Sequence, residues 1–295
     1  MKVSIIVLSY NHESYLHETL QSLTDQKTKF EYEILVGDDC SPDNSRLIID
    51  QFYGKHPNKI KRIYPEKNLG PNANYLNCLR NAKGQFIAFC EGDDYWIDEN
   101  KLQKQVDFLE QNPKYGGVCG EVISRDIEKK SEERIPLKEE GVICFEDIVF
   151  QNKIHSNTIL FRNELINIDS LDVIKQLSIG DWYLHLLVTM QRPYYYLPQY
   201  LALYRVHNAG IFSKKSDFFK AYQKSRLLAI FMKSEGNDEN SRLIKKSLES
   251  QVFTAFRASG RDNKKELKEL FNIMLNHKII KLNRSLIRGA FNFVK

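Results

Sequence analysis

At 295 residues with 42% apolar side chains, the chain suffices for one large domain, or a domain with a substantial appendage, and its core needs no disulfide or metal staple. Its net charge of +5 is modest and uneven: beyond Lys214 basic residues outnumber acids, which suits a nucleic acid, an anionic membrane surface or a solvated basic face. Five scattered cysteines without a C-x-x-C pair indicate reduced thiols in a cytosolic protein, and no apolar run reaches the roughly 18 residues of a membrane span or the pattern of a signal peptide.

Residues 3–8, VSIIVL, form an almost unbroken apolar run rich in β-branched side chains, the pattern of a strand buried on both faces of a parallel sheet. In NHESYLHETLQSL, Leu16, Leu20 and Leu23 recur at helical spacing, and YEILV (32–36) reads as a second buried strand. A helix is expected over SPDNSRLIIDQFY, with Ser41 as cap, Pro42 at the first helical position and Leu47, Ile48 and Phe52 facing inward. IKRIY (60–64) is a third strand, GPNANYLNCLRNA a helix opened by Gly70 and Pro71, QFIAFC (85–90) a fourth strand and NKLQKQVDFLEQN its helix. Such alternation predicts a doubly wound α/β sheet with right-handed crossovers, whose ligands bind at the carboxyl ends of the strands.

Past residue 115 the alternation weakens. YGGVCGEVIS is a candidate strand, and RDIEKKSEERIPLKEEG a charged, mobile insertion. SNTILFRNELI reads as a strand running into a helix, GDWYLHLLVTMQ as a helix capped by Asp181, and PYYYLPQYLALYRVH as an aromatic β segment. From about Ser216 onward the pattern is helical.

The strands end in polar residues: SYN after the first, GDDCS after the second, EGDD after the fourth. Carboxylates crowded at a strand end are costly unless a cation neutralises them. Hard divalent ions take oxygen ligands, and Mg²⁺ or Mn²⁺ commonly shares them with a substrate phosphate. Glu91, Asp93 and Asp94 therefore point to a metal that holds a diphosphate; Asp98 suffices to cap the helix that follows.

The succession VSIIVLSYN, LVGDDCSPDNS and NLGPNANYLNCLRNAKGQFIAFCEGDD resembles the nucleotide-sugar domain of family 2 glycosyltransferases of the bacterial surface-polysaccharide type, which have the GT-A fold. The resemblance is continuous over residues 1–110 and resumes near 180 and 205. It implies a doubly wound, mostly parallel sheet flanked by helices, with a GT-A domain over 1–212 and a helical C-terminal region over 213–295. Within the domain, 1–110 is the nucleotide-sugar half and 111–212 the acceptor half. It further implies that Tyr10, Asn11 and Asp39, with Asp38 nearby, bind a nucleoside, usually uridine. Asn68, Gly70 and Arg80 then approach the diphosphate. Asp93 takes the metal-binding place, and Glu91 stands where the family usually has an aspartate contacting ribose. Asp94 supports the metal or positions the donor sugar. Asp181 is the expected base that deprotonates the acceptor hydroxyl, with Trp182 as a sugar-ring wall or a core residue. In YRVHNAGIFS, His207 is a third metal ligand or a diphosphate contact and Arg205 a diphosphate contact; His155 and Asn157 are acceptor or donor-sugar contacts.

The implied function is metal-dependent inverting transfer from a nucleotide-sugar, usually a UDP-sugar, to a glycan or lipid-linked acceptor. No nucleic-acid partner is expected. A nucleotidyltransferase also sets acids around Mg²⁺, but it wants a Gly- and Lys-rich loop where this chain has SYNHESYL. A glycoside hydrolase needs two carboxylates but neither nucleoside pocket nor metal. A non-catalytic nucleotide-sugar-binding protein of the same fold has only Glu91 in its favour. Residues 277–295 form a basic amphipathic pattern that suits either the inner face of the cytoplasmic membrane or packing against the domain.

Overall fold

The computed structural model describes residues 1–134, 136–207, 215–236, 238–260 and 262–279. Strand β1 (Val3–Ser9) is buried almost throughout. It is followed by α1 (Glu13–Thr24), β2 (Tyr32–Asp38), α2 (Ser45–Lys55), β3 (Ile60–Ile63), α3 (Pro71–Asn81) and β4 (Phe86–Phe89). β1 pairs in parallel with β2 and β4, and β2 in parallel with β3, so the predicted alternation becomes a parallel half-sheet. Beyond it lie β5 (Tyr95–Trp96), α4 (Lys101–Gln111), β6 (Gly117–Asp126), β7 (Ser131–Arg134), β8 (Gly141–Ile143), α5 (Phe145–Ile148) and β9 (Leu160–Arg162). The chain continues through α6 (Gly180–Gln191), β10 (Tyr194–Val206), α7 (Asp217–Glu235), α8 (Asp238–Ala258) and α9 (Lys264–Asn276).

The strands form one sheet in the order β3-β2-β1-β4-β9-β6-β10-β5, with β7 beside β6 and β8 beside β10. β9 runs antiparallel to both β4 and β6, and β10 runs parallel to β6. The carboxyl ends of β1, β2, β4 and β10 therefore lie along one edge. Side-chain alternation divides the core. Val3, Ile5 and Val7 of β1 join Leu16, Leu20 and Leu23 of α1 and Leu102, Val106 and Leu109 of α4 on one face. Ile6 joins Leu76 and Leu79 of α3 and the apolar side chains of α6 to α8 on the other. Each leucine so buried contributes about 1.5–3 kcal/mol. The C-terminal helices continue this second cluster: Phe231 of α7 meets Tyr183 of α6 edge-on at 5.1 Å.

Several expectations change. α2 starts at Ser45, because the Ser41 hydroxyl and N–H both bond to Asp38 instead of capping a helix. Leu47 is exposed and Ile49 takes its place inside. Part of the charged insertion is ordered as β7, paired with β6. Residues after β9 form 3₁₀ turns, not an α-helix. Asp181 sits within the first turn of α6 and does not cap it; Ile179 holds the cap position. All five cysteines are free. Among the described residues no helix is long and apolar enough to cross a membrane. The expected amphipathic tail lies, from residue 280, outside the described residues.

Candidate active site at the carboxyl edge of the sheet

The acidic loop leaves β4 against the end of β1. Gly92 is required there: a Cβ would lie 2.6 Å from His12 Nδ1 and 2.8 Å from the Leu8 carbonyl. The Thr19 hydroxyl of α1 donates to the Asp94 carbonyl at 2.6 Å. Asp94 is buried and fully engaged: Oδ1 accepts the Arg205 N–H and Oδ2 the Asn157 amide, both at 2.9 Å. Burial, with the charges of Asp93 and Glu91, pushes its carboxyl well above the usual range. Arg205 is also buried. Its guanidinium bonds to the Asp93 carbonyl at 2.5 Å and to Glu18, and lies 4.7 Å from the Tyr95 ring centre. Asp94, Asn157 and Arg205 thus fasten the loop to α1, to the 3₁₀ turn before β9 and to β10.

Asp93 is different. Its Oδ2 lies 2.9 Å from His207 Nε2 and 3.8 Å from His12 Nε2, while Oδ1 is buried with no hydrogen-bond partner among the described residues. Desolvation opposes its charge, but the His207 hydrogen bond and the two imidazoles hold it below the usual carboxylate range. His207 packs on Tyr15, ring centres 5.1 Å apart. Glu91 keeps solvent access on one side, yet desolvation by the surrounding protein and the charges of Asp93 and Asp181 push it up to about 8. Carboxylate oxygens of Glu91, Asp93 and Asp94 lie within 4.8 Å of one another. An orphaned buried carboxylate oxygen inside such an all-oxygen cluster, with an imidazole at its side, fits a hard divalent cation.

At the ends of β1 and β2, Tyr10 is 49% exposed, and Asn11 adopts a positive φ of 60° while its N–H donates to Ser41 Oγ at 3.0 Å. Asp38 is buried on Arg46 Nε at 2.7 Å. Asp39 accepts the N–H groups of Leu69 and Gly70 at 2.7 and 2.8 Å, and its carbonyl accepts the Asn68 amide at 3.0 Å. Gly70, at φ 84°, holds the left-handed bend that this loop needs. Both Asp39 oxygens are thus occupied by the loop that opens α3. Arg80 does not reach this edge. It sits in the last turn of α3, at the opposite end of the helix from Gly70, and pairs with Asp172 at 2.5 Å.

Asp181, whose charge acts on Glu91, accepts the Ser156 hydroxyl on Oδ2 at 3.0 Å, and Ser156 Oγ lies 3.4 Å from His185 Nε2. Trp182 is 1% exposed and donates to the Ile148 carbonyl at 2.9 Å, so it is a core residue and not a sugar-ring wall. His155 lies 3.6 Å from the buried Glu121, which the Tyr196 hydroxyl also approaches; burial lowers the imidazole's pKa. The sequence reading did not single out His12, Ser156, His185 or Glu121. An acid inside the apolar run VCGEVI was a visible signal for the last; the others depend on contacts between distant segments.

Residues 4–170 match the profile of glycosyl transferase family 2. The chain belongs to that family. Among relatives of this family 2 member, an uncharacterized protein of Mycobacterium tuberculosis (strain H37Rv) is 34% identical over 212 residues, covering 71% of this chain and 60% of the other. The poly(ribitol-phosphate) beta-N-acetylglucosaminyltransferase TarS of Staphylococcus aureus (strain MW2) is 28% identical over 241 residues, covering 78% of this chain and 40% of TarS. The chain thus spans 40% to 60% of the length of these relatives. Among solved structures, residues 1–349 of S. aureus TarS in complex with UDP superpose with a TM-score of 0.66 at 21% identity, covering 89% of this chain and 74% of that one. The mannosyltransferase PcManGT from Pyrobaculum calidifontis, in complex with GDP-Man and Mn²⁺, superposes with a TM-score of 0.57 at 15% identity, covering 99% and 86%. The fold of the family 2 chain is GT-A.

Proposed function

We propose that this chain is a metal-dependent inverting glycosyltransferase that moves a sugar from a nucleotide-sugar, a UDP-sugar, to a hydroxyl of a glycan or lipid-linked acceptor in surface-polysaccharide synthesis at the cytoplasmic side. The observation that carries the reading is the unpartnered, buried Oδ1 of Asp93, beside His207 and within the Glu91–Asp94 cluster, near enough to Asp181 that its charge raises Glu91. The likeness to TarS, solved with UDP and acting on poly(ribitol-phosphate), favours a UDP-sugar donor and a polymer acceptor.

Asp93 and His207 would hold Mn²⁺ or Mg²⁺, which when bound neutralises negative charge on the departing diphosphate. Tyr10 offers its exposed ring to the base, and the Asp39-braced loop from Asn68 to Gly70 shapes the floor beneath the nucleotide. Asp181 accepts the proton of the acceptor hydroxyl as that oxygen bonds to the anomeric carbon. The bond between that carbon and the diphosphate oxygen breaks, its electron pair leaves with the nucleoside diphosphate, and the anomeric configuration inverts. Asp94, Asn157 and Arg205 keep the acidic loop in register throughout.

Titration calorimetry with UDP, with and without Mn²⁺, tests the reading. Manganese-dependent UDP binding that Asp93→Ala abolishes is expected; binding indifferent to both would remove its basis.

A further inference from the structure

We infer that Ser156, with His185 and Tyr194 behind it, forms a one-way hydrogen-bond chain that positions the Asp181 carboxylate; its catalytic meaning rests on the proposed role of Asp181 as base. Ser156 lies in the 3₁₀ turn Ser156–Thr158 that leads into β9, and His185 stands one helical turn after Asp181 on α6. His185 is 1% exposed and Tyr194 is fully buried. Helix α6 is otherwise apolar around His185, with Tyr183, Leu184, Leu186 and Leu187 in the core, so packing alone has no need of an imidazole here.

The chemistry of the groups fixes the direction of each bond. An ionised carboxylate only accepts, so the Ser156 hydroxyl donates its one proton to Asp181 Oδ2 at 3.0 Å. Ser156 Oγ then has only acceptor capacity left for His185 Nε2 at 3.4 Å, which requires Nε2 to carry the proton. Nδ1 is left as the acceptor, and the Tyr194 hydroxyl, 3.3 Å away, donates to it. Burial pushes His185 down to about 4, which leaves the ring neutral with a single N–H, as this arrangement demands. Three dipoles therefore point from β10 through α6 to one carboxylate oxygen and reinforce one another in a dry interior. Among the described residues nothing hydrogen-bonds to Oδ1 of the half-buried Asp181, so the chain holds one oxygen and leaves the other for the acceptor. A carboxylate without this anchor rotates freely, and misplacement of a reacting group by about 1 Å costs on the order of 100-fold in rate.

The first test needs no substrate. In long-range ¹H–¹⁵N spectra of the histidine-labelled full chain, the His185 signal, assigned through His185→Gln, should be the neutral Nε2–H form. Its Nε2 resonance should shift in Ser156→Ala. An Nδ1–H form, or a resonance indifferent to Ser156, overturns the chain. Kinetics form the second test, on whichever nucleotide-sugar a hydrolysis screen shows to be turned over. Ser156→Ala should lower kcat by roughly 10- to 100-fold with donor KM within about two-fold, and Ser156→Thr should restore it. Unchanged kcat in Ser156→Ala overturns the positioning role. Absence of manganese-dependent UDP binding, with the Nε2–H form intact, would sink the proposed metal- and UDP-dependent transfer while leaving the bond chain standing.

Discussion

Asp93 and His207 lie 114 positions apart in the chain and meet at 2.9 Å between Oδ2 and Nε2. One residue follows β4 and the other follows β10, so the pair joins the parallel β1–β4 half of the sheet to its far half. If they share a cation, His207→Gln should weaken Mn²⁺-supported UDP binding by at least roughly 10-fold while leaving the fold intact. Calorimetry of that variant at several Mn²⁺ concentrations reads the effect, and unchanged affinity would remove His207 from the metal site.

Asp181→Asn keeps the shape of the first turn of α6 but cannot take a proton. It should retain nucleotide binding and lose on the order of 100- to 10,000-fold in transfer rate. Retained turnover would move the base elsewhere; a loss of UDP binding alongside it would make the residue structural.

Trp182 fills the core between α5 and α6 and holds the Ile148 carbonyl. Trp182→Ala should cost about 3–5 kcal/mol, whereas Trp182→Phe should fold and bind UDP. Chemical denaturation measures both. A Phe variant of unchanged stability but altered donor preference would contradict the core assignment.

Lys101 is fully buried, with its ammonium 2.8 Å from Gln105 Oε1 and 3.9 Å from the Trp96 ring centre. Desolvation pushes it down to about 7, from 10.5 in the unfolded chain. Between these values the unfolded state binds more protons, so stability rises with pH across that window. Relative to Lys101→Met, the native protein should therefore gain stability from pH 7 to pH 10. Parallel denaturation midpoints over that range would show that the amine is not desolvated.

The parallel half of the sheet was legible because each strand is an apolar run ended by polar residues, and each helix repeats leucines at the right spacing. Less of the site could be read. The places of Asp93 and Asp181 were visible as acids at element ends. Arg80 was misplaced because a position near Gly70 in the sequence says nothing of the helix axis that carries it to the opposite end. Leu47 falls outside and Ile49 inside because Ser45, Ile49 and Phe52, at i, i+4 and i+7, make the buried stripe of α2.

Taken alone, the sequence determined the alternation of elements, the buried faces and the crowding of acids at one strand edge, since periodicity and local chemistry are properties of neighbouring residues. Tertiary structure alone decided which acids are spent on holding loops and which are left unpartnered. Each oxygen of Asp39 and Asp94 accepts a backbone or amide donor from segments 30 to 111 residues away, whereas Asp93 keeps one oxygen unclaimed. A buried polar atom's partners are set by what the fold brings within 3 Å of it, and no spacing along the chain encodes that distance.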